Sequence, residues 1–146
     1  MKDRRNTKKN SGFTMIELMA VLIIMGLLFA VVAGKFVSQT DDARVRTTKA
    51  SLKTLHSLVT QFKMDSTRYP FAEEGLDVLI NQPMGVENYP EGGYIETTEI
   101  GTDGWGREFI YEEYPESGKP FVIKSLGADG EPGGEKYDAD LLSTDR

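Results

Sequence analysis

From Leu18 to Gly34 the chain runs 17 residues without a charge before Lys35 closes the stretch, and a glutamate, Glu17, stands at its head. About 20 apolar residues are wanted for a helix to cross a bilayer, so 17 is the low edge of spanning length. Counting from Phe13 reaches that length, but only by including Glu17. The flanks supply a direction. Lys2, Arg4, Arg5, Lys8 and Lys9 precede the run, and basic flanks stay on the cytoplasmic side, so everything after Lys35 belongs on the far side. A soluble core helix fits worst, because apolar residues cover every face. A permanent anchor and a cleavable secretory signal both stay open, the second because a basic head, an apolar stretch and the small residues Ala33 and Gly34 are present. Either has to answer for Glu17, since an ionised carboxylate in the acyl region is unfavourable unless it is paired or protonated.

At 146 residues there is room for one compact domain plus an extended element, but hardly for two cores. With 39% hydrophobic and 27% charged residues the composition is that of a folded chain. Charge is uneven. The first 12 residues hold five lysines and arginines against one aspartate, net +4, so the formal −6 of the whole chain leaves −10 for residues 13 to 146. Such a body does not bind nucleic acid through a general basic surface, and it invites counter-ions such as calcium. The absence of cysteine excludes disulfides, thiolate metal sites and cysteine nucleophiles together.

Beyond Lys35 the pattern turns amphipathic. Val45, Leu52, Leu55, Val59 and Phe62 recur at helical spacing and form one apolar stripe. Asp41 and Asp42 suit the early part of that helix or a local turn, and "DSTRYP", Asp65 to Pro70, ends it. If both helical stretches are continuous, residues 13 to 65 span roughly 80 Å at about 1.5 Å per residue. Gly34 weakens the helix by about 1 kcal/mol relative to alanine but keeps the hydrogen-bond ladder, so a melt or bend near Ala33 is permitted rather than forced. A short second helix is expected over Phe71 to Ile80, stopped by Pro83. Strands are expected at Glu108 to Tyr114 and Phe121 to Leu126 around an "ESGK" hairpin turn, with "GGYIE" as a third strand or an ordered loop. The expected class is α+β, a long N-terminal helix packed on a small antiparallel sheet.

"SLGADGEPGGEKYDADL" gathers Asp129, Glu131, Glu135, Asp138 and Asp140 among four glycines. Glycines let main-chain carbonyls turn inward, and clustered carboxylates repel unless a cation joins them. EF-hand spacing is absent, and on spacing alone a solvated acidic loop is the default.

The segment "SGFTMIELMAVLIIMGLLFAVV" resembles the amino-terminal signature of type IV prepilins and type II secretion pseudopilins. That resemblance implies that a prepilin peptidase cuts between Gly12 and Phe13 and methylates the new amine of Phe13. It also implies that Glu17 of one subunit meets the Phe13 amine of its neighbour and sets the stagger of a helical filament, a register role that buried polar groups are known to fill. The alternative from the residues alone is that Glu17 snorkels to the headgroups. Further along, "RYP…EEGLDVLINQP", "GGYIE", "DGWGREFIY" and "SLGADGEPGGEKYDADL" resemble the major pseudopilins of type II secretion systems from Gly12 nearly to the end.

The organisation so implied is a cleaved leader (1–12), a transmembrane and assembly helix (13–36) and a periplasmic pseudopilin domain (37–146). The resemblance implies an inner-membrane subunit that polymerises with itself, with minor pseudopilins and an inner-membrane assembly platform as partners, into a filament that helps drive folded proteins across the outer membrane. It implies calcium in the glycine loop, held by Asp129 and Asp140 first, Asp138 next, and the Leu126 carbonyl. Many relatives carry proline at the place of Gly34 and Asp-Pro-Trp-Gly where this chain has Asp103-Gly104-Trp105-Gly106, so a looser turn is expected there, with Trp105 as a packing anchor. A filament for adhesion, motility or DNA uptake is the alternative, and the acidic body argues against direct DNA capture.

A membrane-tethered enzyme is the competing class. His56 is the only histidine and is expected to be an exposed or border residue of the soluble helix, no Ser/His/Asp set is evident, and the glycine loop fits ion capture better than acid–base work. The expectation is a non-catalytic subunit, because catalysis does not call for Gly12-Phe13 and Glu17, whereas assembly does.

Overall fold

Helix α1 runs without interruption through Met15–Ser66, 52 residues, and passes through Ala33 and Gly34 as helix. The structure, a computed structural model, describes residues 12–145, without the side chains of residues 33–38. The basic leader residues Lys2 to Lys9 lie outside the described residues. Two compact units divide the chain, Met1–Ser38 and Gln39–Arg146.

In the first unit, Met15–Val32 is long and apolar enough to cross a membrane, and none of it is buried within the chain. Phe29 is 76% exposed and Leu27 66%. In water such a surface would be strongly unfavourable, at about 25 cal/mol per Å² of apolar area, so this stretch needs lipid or other helices around it.

In the second unit, α1 supplies the core from the stripe read in the sequence. Leu52, Leu55, Val59 and Phe62 are buried, and Val45 packs on the cluster from its edge. The many serines and threonines on this stretch satisfy themselves locally: Thr48, Thr54, Ser57, Thr60 and Ser66 each donate to the carbonyl four residues earlier. At the end, Thr67 adopts φ +65°, the left-handed turn that commonly closes a helix, and Pro70 follows.

Three antiparallel strands follow: β1, Ile110–Glu113; β2, Phe121–Ser125; and β3, Leu141–Leu142. Their order is β1-β2-β3, with Tyr111 opposite Ile123 and Ser125 opposite Leu141. The expected hairpin turn is present, closed by Gly118 N–H to the Pro115 carbonyl and Tyr114 N–H to the Pro120 carbonyl. β2 is central, and its Phe121 and Ile123 join Leu141 in the core formed with α1. The class is α+β, as expected. Two local expectations change, and one open alternative is decided. The second helix is a short 3-10 helix, Gly75–Leu79, of five residues. "GGYIE" is an ordered loop, anchored where Tyr94 N–H and Ile95 N–H both reach the Leu79 carbonyl. The third strand comes instead from Leu141–Leu142, too short to show alternation.

The turn at Asp103 to Gly106 is tight rather than loose. The buried Asp103 carboxylate accepts from Trp105 N–H and Arg107 N–H, each at 2.9 Å, and from Ser125 Oγ at 2.6 Å. Gly104 lies against α1: its N–H donates to Thr48 Oγ1 at 2.8 Å, and a Cβ there would stand 2.6 Å from the Arg44 carbonyl oxygen. Proline at this position would lose the donor and collide. Trp105 packs on the core, as expected of an anchor.

Candidate functional site

At the head of α1, Thr14 and Glu17 cap the helix reciprocally. Glu17 N–H donates to Thr14 Oγ1 at 3.3 Å, while Thr14 N–H donates back to Glu17 Oε2 at 3.2 Å, with the Thr14 hydroxyl 3.4 Å from the same oxygen. Two free donors of the first helical turn are thereby satisfied by one Thr-x-x-Glu box. The box was legible as a spacing before an apolar run, and it gives Glu17 a local role that sequence reasoning missed. Only Oε2 is engaged; Oε1 has no partner among the described residues. Gly12 and Phe13 are exposed, Phe13 at 85%. In this structure Glu17 is exposed and near the N-terminal end of the apolar helix, which carries no other charge before Lys35.

The glycine loop folds back on itself between β2 and β3. Ala128 N–H reaches the Tyr137 carbonyl at 2.8 Å, and Asp140 N–H reaches the Gly133 carbonyl at 3.0 Å. Of the residues expected to hold an ion, the Leu126 carbonyl accepts from Gly130 N–H at 3.1 Å, Asp129 Oδ1 accepts from Glu131 N–H at 3.0 Å, and Asp138 is exposed. Asp140 is different: Oδ2 accepts from Gly133 N–H at 3.1 Å, and Oδ1 is buried with no hydrogen-bond partner. A buried carboxylate oxygen without a donor is costly and commonly marks the place of a water or ion. Among the described residues, no three histidine or acidic side chains gather at metal-holding distance.

Arg107 organises this loop, and sequence reasoning missed it. Its guanidinium donates to the carbonyls of Gly127 at 2.7 Å and Ala128 at 2.8 Å, the planar fork matching two adjacent oxygens. Gly130, at φ +75°, lies directly on that side chain, where a Cβ would meet Nε at 2.5 Å. One signal could have found it: Arg107 is the only cation between Tyr69 and Gly118, a stretch holding 12 acidic residues. The loop is also tied to α1, because the Tyr137 hydroxyl donates to Asp42 Oδ1 at 3.1 Å.

His56 is half-buried. Its ring stacks on Phe121 with centroids 4.5 Å apart, and Nδ1 lies 3.1 Å from Ser143 Oγ. Burial lowers its pKa below the ordinary histidine value. A Ser–His pair therefore exists that the sequence did not reveal. The Ser143 oxygen already accepts Ile123 N–H at 3.0 Å, and Ser143 N–H donates to the Ile123 carbonyl. That hydroxyl is part of the sheet's edge, and the pair fastens β3 to α1.

The chain matches the family described as type II secretion system (T2SS), protein G, over residues 35–144, and the prokaryotic N-terminal methylation motif over residues 7–33. It is 36% identical to the type II secretion system core protein G of Pseudomonas aeruginosa over 141 residues, 94% of this chain and 97% of that relative. Identity to the core protein G of Vibrio cholerae is 32% over 139 residues, covering 94% and 93% of the two chains. In three dimensions it is similar to the crystal structure of the major pseudopilin from the type 2 secretion system of enterohaemorrhagic Escherichia coli, at a TM-score of 0.60 and 28% identity, over 73% of this chain and 90% of that one.

Proposed function

This chain belongs to the protein G family of type II secretion systems, the family of the major pseudopilin, and from that membership we propose how its parts work. It is the major structural subunit of the pseudopilus. In our reading a prepilin peptidase cuts between Gly12 and Phe13, the new Phe13 amine is methylated, and Met15–Val32 holds the subunit in the inner membrane until it joins a periplasmic filament with minor pseudopilins and the assembly platform. It is not an enzyme: its one histidine and the serine beside it serve to hold the sheet on α1.

The observation that carries the assembly role is the wholly exposed apolar length of α1 with a single carboxylate at its head. Lipid covers that surface in the free subunit and sister helices cover it in the filament. Glu17 keeps its box with Thr14 while it waits, and its second oxygen is available to the Phe13 amine of an adjacent copy. Because an uncompensated charge inside a bundle costs several kcal/mol, that pairing fixes the stagger. Replacing Glu17 with alanine should leave insertion and cleavage largely intact and reduce filament yield at least tenfold, read from sheared filaments by gel, while mass spectrometry reads methylated Phe13 at the new terminus. Normal filament yield would refute the register role, and a terminus near Lys35 would indicate a secretory signal instead.

Calcium in the glycine loop is part of the same proposal. The orphan Asp140 Oδ1 supports such an ion; Asp129 and Asp138, which do not gather with it at metal-holding distance in this structure, would have to move in to join it and the Leu126 carbonyl. Calcium takes six to eight oxygens from mixed sources, and main-chain carbonyls and water would complete the shell. Bound there, the ion would supply positive charge that offsets the repulsion among the loop's carboxylates.

A further inference from the structure

Within the unit Gln39–Arg146 charge is split between elements. Residues 43–64 of α1 hold five cations and no acid, whereas residues 67–145 hold 18 acidic residues against five cations. Most of the latter five are committed within the chain: Arg68 forks onto Glu74 at 2.6 and 2.8 Å, Lys124 pairs with Glu112, and Arg107 is bound to loop carbonyls. On α1, Arg44 faces Asp41 at 3.3 Å, but Arg46, Lys49 and Lys53 have no partner among the described residues. At about 100° per residue these three fall within an arc of about 60° that borders the buried stripe at the half-buried Lys49 and leaves Arg46 and Lys53 exposed.

The body of the same unit carries a groove of about 520 Å³ whose floor includes Ile80, Ile100 and Phe109 and whose rim carries Asp77, Glu99 and Glu108. Asn81 donates to Asp77; the carboxylates of Glu99 and Glu108 have no partner among the described residues. A groove of this size admits the ends of long side chains rather than a whole helix. Lysine and arginine suit it, since their aliphatic stems cover apolar surface while the charged heads reach the rim.

We propose that Arg46, Lys49 and Lys53 of one copy dock on the Asp77, Glu99 and Glu108 groove of the next copy. Two points favour a second copy over any other occupant. Net-negative bodies repel one another unless opposite patches are brought together, and this chain carries both patches. Two different patches that meet in one direction only make a head-to-tail contact, which propagates as an open helical polymer where its rotation does not close a ring. The inference rests on the filament reading and deepens it, assigning the periplasmic contact that accompanies the Glu17 contact in the membrane.

The test uses the full-length chain assembled in membranes at low and high salt. Lys49→Glu with Lys53→Glu, and separately Glu99→Lys with Glu108→Lys, should each lower filament yield about tenfold, while all four together restore it to within about threefold. Wild-type yield should fall as salt rises. The chain has no cysteine, so Lys53→Cys combined with Glu108→Cys should give a ladder of copy-to-copy disulfides under mild oxidation. Unaffected yield in the reversals, no recovery in the fourfold variant, or no ladder from intact filaments would overturn the proposal. It is equally overturned if the α1 reversal instead weakens binding to vesicles of anionic lipid, which would assign those cations to headgroups. Glu17→Ala run in parallel separates the two readings: filaments that need Glu17 but ignore the exchange sink only this inference, whereas failure of wild-type chain to form any filament sinks both.

Discussion

Asp103 is buried in the core with three donors around its carboxylate, and Thr48 beside it both donates to the Arg44 carbonyl and accepts Gly104 N–H. Glu17 and Asp140, like several surface carboxylates, are each engaged through one oxygen only. Glu17 has one oxygen held by Thr14, and Asp140 has one oxygen satisfied and one not. The Thr14–Glu17 box means that the glutamate would retain a helix-capping role whether or not a neighbour arrives. His56 lies between Phe121 and Ser143, and its lowered pKa gives a pH dependence of definite sign. Because burial disfavours the charged ring, the folded chain binds this proton less tightly than the unfolded chain does. The stability held by the neutral ring is complete above the ordinary value of 6.5 and is lost as pH falls below it toward the folded value. Thermal melts between about pH 7.5 and 5.5 should therefore show a larger loss for wild type than for His56→Gln; equal losses would contradict the assignment.

At the level of elements, regular spacing was legible and tertiary fastening was not. The stripe from Val45 to Phe62 announced itself through a period of about 3.6, and the two hairpin strands through runs of aromatic and β-branched residues around a turn. From Pro70 to Glu108 the chain has little regular structure, because it is held by contacts with no local period: Tyr111 Oη to the Pro70 carbonyl, Tyr89 Oη to the Val78 carbonyl and Tyr94 Oη to Asp65. β3 exists because Leu141 and Ser143 meet β2, a pairing that two residues cannot signal by themselves. The glycine loop was recognised by its composition, yet the arginine that shapes it comes from another segment. Arg107→Met keeps the aliphatic bulk and removes both charge-assisted bonds to Gly127 and Ala128, so it should destabilise the folded unit by about 2–3 kcal/mol. Urea unfolding of residues 37–146 measures this, and a loss below about 0.5 kcal/mol would show that water replaces the guanidinium without cost.

As a whole the chain joins an apolar helix that is uncovered in isolation to an acidic folded unit built without disulfides. The family and the overall class were visible in the Gly12-Phe13 head, the Glu17 position and the amphipathic continuation of α1. The charge split between α1 and the groove was not, because it depends on which carboxylates the fold brings to one rim. If the glycine loop holds calcium, the ion adds binding energy to folding, and the melting temperature of residues 37–146 should rise by several degrees in millimolar calcium and return with chelator. Asp140→Asn should lose most of that increment; unchanged melting with and without chelator would contradict the loop's assignment. The proposed register role turns on where the Glu17 carboxylate goes when copies come together. A high-resolution map of the intact filament should show it within hydrogen-bond distance of the methylated Phe13 nitrogen of an adjacent copy, whereas a carboxylate that touches only its own Thr14, with no neighbouring nitrogen in reach, would contradict the register role.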